Sequence, residues 1–432
     1  MDKKTRFSDV SEKIKKLTKA DDFRINYESE VNALTRFASN MVTQNIDVER
    51  ETVNFTAYFG AKKATVSSAN LTDEGLKAMV EACEATAKLS VEDKEYLPSL
   101  GKTETPATAP IDKKIAGMTA DERASIAKIP VERAQKDGVT VAGSVSNTLS
   151  ASGIATKNGA CHYFESAIVS YSNTVDRKGE KGNATVSSAQ RSAVDSDLLY
   201  SEAFNDAAIA ENSREYEPGR YTVLLSAHAA VQLFAYMAFY GADKRAVDEG
   251  YSPYVGKMGQ QIGDSRISMF TDPSDIRAVS QPFSGEGMPI TKRHIIQDGK
   301  LIDLPCSRFW AQKTNSEAWG LSNFIMSEGT KSEKELLAGI ERGFYIKDLW
   351  YIRMVKMDDF TLTGMTRNGF FAIENGKIVG GSKHFRWNDS PMKMLNRIVE
   401  IGKGVGEIDS WYSVFAPAIV VKDFYLSSKT LF

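Results

Sequence analysis

The sequence predicts an α+β chain, a mixed amino-terminal domain followed by a β-rich, antiparallel, barrel-like carboxy-terminal domain. Three observations carry that expectation. Helix-period and strand-period segments alternate through the first third. From about residue 139 the chain turns to β-rich runs punctuated by Asn158-Gly159, Asp298-Gly299, Asn368-Gly369 and Asn375-Gly376, pairs that favour two-residue hairpins. Late in the chain, strand patterns outnumber helical ones, which points to segregated rather than alternating elements. We place the boundaries at 1–215 and 216–432, with a sub-boundary near 115–140.

The elements follow in order. Val10, Ile14 and Leu17 recur at helical spacing after Ser8, a candidate N-cap. ETVNFTAYFGAKKATVSS (51–68) reads as two strands about Gly60. LTDEGLKAMVEACEATAKLS (71–90) reads as an amphipathic helix capped by Thr72, with Asp73 and Glu74 at its positive end. The Pro- and Thr-rich stretch 97–112 reads as a connection, and a helix follows over 119–136 with Gly138 beyond it. Asn375-Gly376 and Asn368-Gly369 flank FFAIE, a short strand of a meander. SPMKMLNRIVEIG predicts a compact helix with Ser390 as N-cap, Pro391 at N1 and Gly402 past its end. FAPAIVVKDFYLSS returns to strand. No sequence repeat of fixed period is visible.

The bulk numbers exclude several classes. The chain has 432 residues, 42% hydrophobic and 25% charged, ordinary for a globular protein. A net charge of −2 without a basic stripe argues against direct nucleic-acid binding. Cys83, Cys161 and Cys306 are odd in number and widely spaced, which suits neither a disulfide framework nor a metal knuckle. The charged opening MDKKTRFSDVSEKIKKL has no apolar core of a secretory signal, so the expected setting is cytoplasmic.

The window YTVLLSAHAAVQLFAYMAFYGA (221–242) carries no charge and is long enough to cross a bilayer, which needs ~20 apolar residues. It also contains Ser226, His228, Gln232, Gly241 and three tyrosines. RYTVLL as a buried strand, Ser226 as an N-cap and 227–240 as a buried helix ended by Gly241 explain it better than a membrane span. His228 falls in the first helical turn. A metallopeptidase helix would follow it with a glutamate base and a second histidine about one turn on. Here Ala229 follows, Gln232 lies four residues on and Leu233 five. A lone histidine on an apolar helix is ordinarily a hydrogen-bonded structural residue.

Other chemistries find little support. Cys161 adjoins His162, but neighbours on a strand point to opposite faces. There is no G-x-S-x-G elbow, and GKGVGE (402–407) has the wrong spacing for a P-loop and reads as a turn closing the preceding helix. GEKGN (179–183) reads as a plain turn. Trp310, Trp350, Tyr351, Arg353, Arg386 and Trp387 either fill the β-rich core or line a groove for an extended peptide.

Four segments taken together resemble the TldD/PmbA (TldE) family, whose members are known as candidate modulators of DNA gyrase and as zinc peptidases. They are TRFASNMVTQN (35–45), PGRYTVLLSAHAAVQLF (218–234), FSGEGMPITKRHIIQDGKLIDLPCSRFWAQK (283–313) and the block 350–402. The catalytic, TldD-type member carries His-Glu-x-x-x-His on the helix after the central strand, with a late cysteine as a further zinc ligand. Only His228 matches here. Ala229 and Leu233 replace the glutamate and the second histidine, and no cysteine follows Cys306. The resemblance therefore implies the metal-free PmbA/TldE-like branch, with no cofactor of its own.

What the resemblance implies is a subunit that holds a peptide or small unfolded protein; the groove residues read above that would hold it are Trp350, Tyr351, Arg353, Arg386 and Trp387. It would complete a dimeric chamber with a TldD-like partner or with itself. Two alternatives stand beside it: a stand-alone homodimeric hydrolase with a repurposed pocket, and a binding protein that sequesters a small protein.

Overall fold

The computed structural model describes residues 2–409 and 412–430. Its first half is built from α1 (Lys3–Leu17), β1 (Asp22–Ala38), β2 (Met41–Phe59), β3 (Lys62–Ser68), α2 (Asp73–Leu89), α3 (Lys113–Ala116), α4 (Ala120–Asp137), β4 (Thr140–Thr156), β5 (Cys161–Arg177), β6 (Glu180–Ser188) and α5 (Ser196–Ala210). The six strands form one antiparallel sheet in the order β3-β2-β1-β4-β5-β6. The order helix, three-strand meander, helix thus occurs twice, and β1 meets β4 where the two units join. The structure contains a repeat that the residues themselves do not display.

One face of this sheet is apolar. Phe23, Ile25, Tyr27 and Phe37 of β1 and Val141, Val145 and Ala155 of β4 are all buried at alternate positions beneath the helices. Polar caps fix those helices. The Thr72 hydroxyl accepts from Gly75 N, and Thr119 and Glu122 form a reciprocal capping box at α4. Gly138 ends α4 at φ +67°, a left-handed position that glycine adopts without penalty. The start of α1 departs from expectation: Asp2 is the cap, its carboxylate accepting from Thr5 N, and Ser8 lies inside the helix. The other sheet face is rich in hydroxyls, with Ser146, Thr148 and Ser150 of β4 beside Ser166 and Ser170 of β5, and it fronts the second half across a cavity.

The second half contains β7 (Gly219–Leu225), α6 (Ala227–Gly241), α7 (Lys244–Asp248), β8 (Met269–Thr271), β9 (Arg293–Gln297), β10 (Lys300–Leu301), α8 (Arg308–Thr314), β11 (Phe324–Met326), α9 (Glu333–Ala338), β12 (Arg342–Lys356), β13 (Thr361–Glu374), β14 (Lys377–Gly381), β15 (Phe385–Asp389), α10 (Pro391–Met394), β16 (Ile398–Ile408) and β17 (Ser413–Lys429). They form an 11-stranded mixed sheet. β7 pairs with both β12 and β17, so β17, β15, β13, β12 and β7 make a ring of pairings, while the other strands branch from it. The expected barrel-like domain is therefore a branched sheet with one closed circuit. Ser413–Val421 of β17 is buried without alternation, as expected for a strand covered on both faces. α6 packs into this sheet with Ala229, Leu233, Phe234 and Met237 fully buried. No helix among the described residues is long and apolar enough to cross a membrane.

Four local expectations are corrected. Asn368-Gly369 does not turn a hairpin. It lies within β13, where these two residues oppose Lys347 alone between the pairs Asp348↔Arg367 and Ile346↔Phe370. Asn368 at φ +31° and Gly369 at φ +95° form a bulge, since positive φ serves a bulge as well as a turn. The helix expected over 390–402 stops after one turn. Ser390 does cap Lys393 N, but Arg397 then donates to Asp389 and to the carbonyls of Lys422 and Asp423, and Ile398 pairs with Val421. Pairing against buried β17 outweighs local helix preference. For the same reason GKGVGE is strand β16 rather than a turn. GEKGN is likewise strand after its first residue: Gly179 completes the β5–β6 turn, and the other four residues belong to β6.

Candidate functional site

The junction of β7 and α6 is held by its neighbours. Ser226 N donates to Ile346 O, and the Ser226 hydroxyl donates to Lys347 O while accepting from Ala229 N. Ala227 N donates to Glu333 of α9, whose other oxygen takes the Tyr345 hydroxyl. β12 pairs with β7 only over Phe344–Ile346. Beyond that point α6 satisfies the β12 edge: Leu349 N donates to Gln232 Oε1 at 2.9 Å, and the Tyr236 hydroxyl donates to Ile352 O at 2.9 Å.

These contacts place His228 between two carboxylates. Its Nδ1 lies 2.9 Å from Glu407 Oε2 on β16, and its Nε2 lies 3.6 Å from Asp348 Oδ1 on β12. Gln232, one turn along the same helix face, donates to Asp348 Oδ1 at 2.9 Å and sits 3.2 Å from His228 Nε2. The Tyr412 hydroxyl donates to Glu407 Oε1 at 3.0 Å. All three charged side chains are largely withdrawn from solvent, at 25% exposure for His228 and 18% for each carboxylate. Burial works against a charged imidazole, but hydrogen bonding and charge from Asp348 and Glu407 outweigh it and hold the pKa up at about 10, against 6.5 ordinarily. Burial, with the Glu407 charge beside it, pushes the Tyr412 hydroxyl upward, so it stays a donor.

Tyr412 carries the network to a cavity of about 610 Å³ between the two sheets, lined by Glu30, Asn32, Ser146, Thr148 and Ser150 among others. The wall offers many hydroxyl and amide groups and few charges. Such a surface can hydrogen-bond the backbone of an extended chain without demanding a particular side chain.

The residues at the motif positions do not fit zinc. Ala229 and Leu233 carry no donor atom, and both are fully buried in the core on a different face of α6 from His228 and Gln232. One carboxylate lies at each ring nitrogen of His228, so the three side chains do not converge on one point, and a protonated imidazole has no lone pair to give. Among the described residues, no group of three or more His, Cys, Asp or Glu side chains is arranged to hold a metal ion. The other histidines have their own surroundings. His162 is buried between the Thr103 and Thr105 hydroxyls and Gly287 O. His294 packs on Phe270. His384 lies 3.3 Å from the Thr366 hydroxyl and packs on Phe370. Burial lowers the pKa of all three.

The five residues read as a groove are divided by the sheet. Trp350, Met365 and Arg386 are cross-strand partners on β12, β13 and β15. Trp350 is 42% and Tyr351 58% exposed, and Arg386 is exposed beside them on that face. Tyr351 adopts φ +58°, and the Arg353 guanidinium lies 4.4 Å from its ring centre. Trp387 is different: it is wholly buried, packed against Phe424 and the backbone of Gly364. The alternation of a strand sends Arg386 and Trp387 to opposite faces, so Trp387 is core. Trp310 is likewise buried, its indole donating to Asp248.

Sequence reasoning singled out His228 and noted Gln232 but missed Asp348, Glu407 and Tyr412. Glu407 lay within GKGVGE, read as a turn. A strand reading of that segment was the signal available.

Residues 218–428 match the model of the PmbA/TldA metallopeptidase C-terminal domain. A comparison with curated proteins gave no match. Among solved structures, the chain superposes on TldE from Thermococcus kodakarensis with a TM-score of 0.85 at 14% identity, covering 98% of this chain and 99% of that one. It superposes on a candidate modulator of a DNA gyrase from Thermotoga maritima with a TM-score of 0.84 at 20% identity, covering 98% and 100%. A candidate modulator of DNA gyrase from Bacteroides thetaiotaomicron gives 0.84 at 17% identity, covering 99% of both chains. At these identities the likeness is one of fold.

Proposed function

From a chain that carries the PmbA/TldD-type C-terminal domain and shares the whole fold of TldE, we propose a subunit that holds peptide without a catalytic zinc of its own. One observation carries this reading. The single histidine of the motif is engaged by a carboxylate at each nitrogen, and the positions that would complete a metal set are buried alanine and leucine. No hydrolytic step is assigned to this chain. Its part is to present the hydroxyl-lined cavity to an extended peptide and to complete a chamber with a TldD-like partner, which would supply metal-assisted hydrolysis.

The His228 network has a structural task in that scheme. It joins α6, β12 and β16 beneath the cavity, and Tyr412 ties the cavity wall to it. A fixed wall spares the protein the cost of ordering itself around each peptide.

The test is co-expression with a TldD-like protein from the same genome, followed by size-exclusion chromatography, elemental analysis and a peptidase assay. The expected result is a stable complex with chelator-sensitive activity and one zinc, assigned to the partner, while this chain alone holds well under one zinc and is inactive. Failure to associate, or a tightly held zinc in this chain alone, overturns the proposal.

A further inference from the structure

A second cleft, of about 570 Å³, lies where the β5–β6 turn and the end of α5 meet the bulge of β13. Its lining includes Lys181, Trp350, Arg367, Lys383 and His384. Arg367 is half-buried, and its guanidinium stacks 4.1 Å from the Trp350 ring centre. Among the described residues no carboxylate lies within ion-pair distance of Arg367, and its guanidinium makes its contact with the Trp350 ring face. Its cross-strand neighbour Asp348 is already engaged by His228 and Gln232. Lys383 is paired at 3.4 Å with Glu180, the one carboxylate among the lining residues.

A half-buried arginine held in a concave site without a counter-ion offers its charge and donors to an anion. The planar guanidinium matches a carboxylate in a two-point fork, and stacking on an indole holds the plane in place beforehand. The bulge contributes as well: Gly369 leaves room for the Lys347 stem where a Cβ would come within 2.9 Å of it, which lets β13 bend at the cleft. A cleft of this size suits a terminal residue rather than a long segment.

We propose that Arg367, stacked on Trp350 and flanked by Lys383 and Lys181, forms a subsite for the α-carboxylate at the end of a peptide, with the Trp350 ring as the surface for its last side chain. This rests on the peptide-holding reading above. The subsite would select free carboxy-termini and fix the direction in which a peptide lies.

Fluorescence anisotropy tests it with two N-terminally fluorescein-labelled pentapeptides ending in phenylalanine, one a free acid and one a carboxy-terminal amide. Wild-type protein should bind the acid at least tenfold more tightly. R367A should bind both as weakly as wild type binds the amide, and R367K should recover only part of the difference, since it keeps the charge and loses the fork. Equal binding of acid and amide by the wild type overturns the subsite and leaves the peptide reading standing. Binding of neither peptide overturns both. Displacement of the acid peptide by micromolar inorganic phosphate, lost in R367A, would assign the cleft to phosphate groups and overturn the carboxylate assignment.

Discussion

The charge on His228 makes a prediction that one residue can decide. A rise in pKa from 6.5 to about 10 means the folded state holds a proton that the unfolded chain releases near pH 6.5. The group is a base whose folded pKa is raised. Its stabilisation is therefore complete below pH 6.5 and is lost as pH climbs towards 10. At 1.36 kcal/mol per unit, the full shift gives a ceiling of about 4 kcal/mol at pH 7, falling to between about 1 and 2 at pH 9. A quarter of the side chain meets solvent, which screens the pair. We therefore expect a loss of about 1–2 kcal/mol between pH 7 and pH 9 that is absent in His228→Gln. Urea unfolding of both proteins across that range reads the difference and cancels the titration of other groups. One contact opposes the charge: the Gln232 amide, oriented by Leu349 N, presents a donor to Nε2, which a neutral ring could accept. The protein has only four histidines, so ¹⁵N-imidazole NMR resolves the matter directly. Three rings should be neutral by pH 7.5, in line with the lowered pKa of His162, His294 and His384, and one should stay doubly protonated beyond pH 9. Four neutral rings at pH 8, or a pH-independent gap between wild type and His228→Gln, would refute the reasoning.

Three further outcomes follow from the packing. Trp387→Ala should cost ~3–5 kcal/mol in chemical denaturation, whereas Trp350→Ala should cost under ~1, because only the first empties a filled core. Comparable losses would mean the two rings have been assigned to the wrong faces. Gly364→Ala places a Cβ 2.7 Å from Trp387 Cζ2, and the overpacking should lower stability by ~1–3 kcal/mol. An unchanged melting temperature would contradict that contact. The double change Ala229→Glu with Leu233→His restores the letters of the zinc motif at two fully buried positions; it should destabilise the fold by ~3 kcal/mol or more and still not yield a stoichiometric zinc by elemental analysis. One tightly bound zinc per chain would show that His228 is free to turn from its carboxylates.

Much of the fold is legible where chemistry is local. Ser226 as cap, the buried helix after it and Gly241 at its end follow from their own residues, as do the Thr72 and Thr119 helices. Asn158-Gly159, Asp298-Gly299 and Asn375-Gly376 each mark a hairpin, whereas Asn368-Gly369 marks a bulge. The pair is the same; only the partner strand decides, and Lys347 lies opposite. SPMKMLNRIVEIG misleads for a related reason. Its cap signals are real and start one turn, but Ile398, Val399 and Ile401 are also good strand residues, and β17 lies beside them. The doubled unit of the first sheet escapes sequence inspection because what recurs is element order and the side of burial. Many residues satisfy those demands.

The site divides along the same line. That Ala229 and Leu233 stand one and five residues after His228 can be read from the sequence, but the partners that His228 meets in the fold cannot. Asp348 and Glu407 come from strands far along the chain, and neither belongs to a recognisable pattern. Their placement has an electrostatic logic nonetheless. Two carboxylates brought close together beneath a cavity would repel without a donor between them. Setting the imidazole between them places a donor beside both, and the Gln232 amide and Tyr412 hydroxyl supply each with a further one. A polar cluster drawn from several elements can hold them in register. The imidazole is thus the group that links the two carboxylates, one at each ring nitrogen.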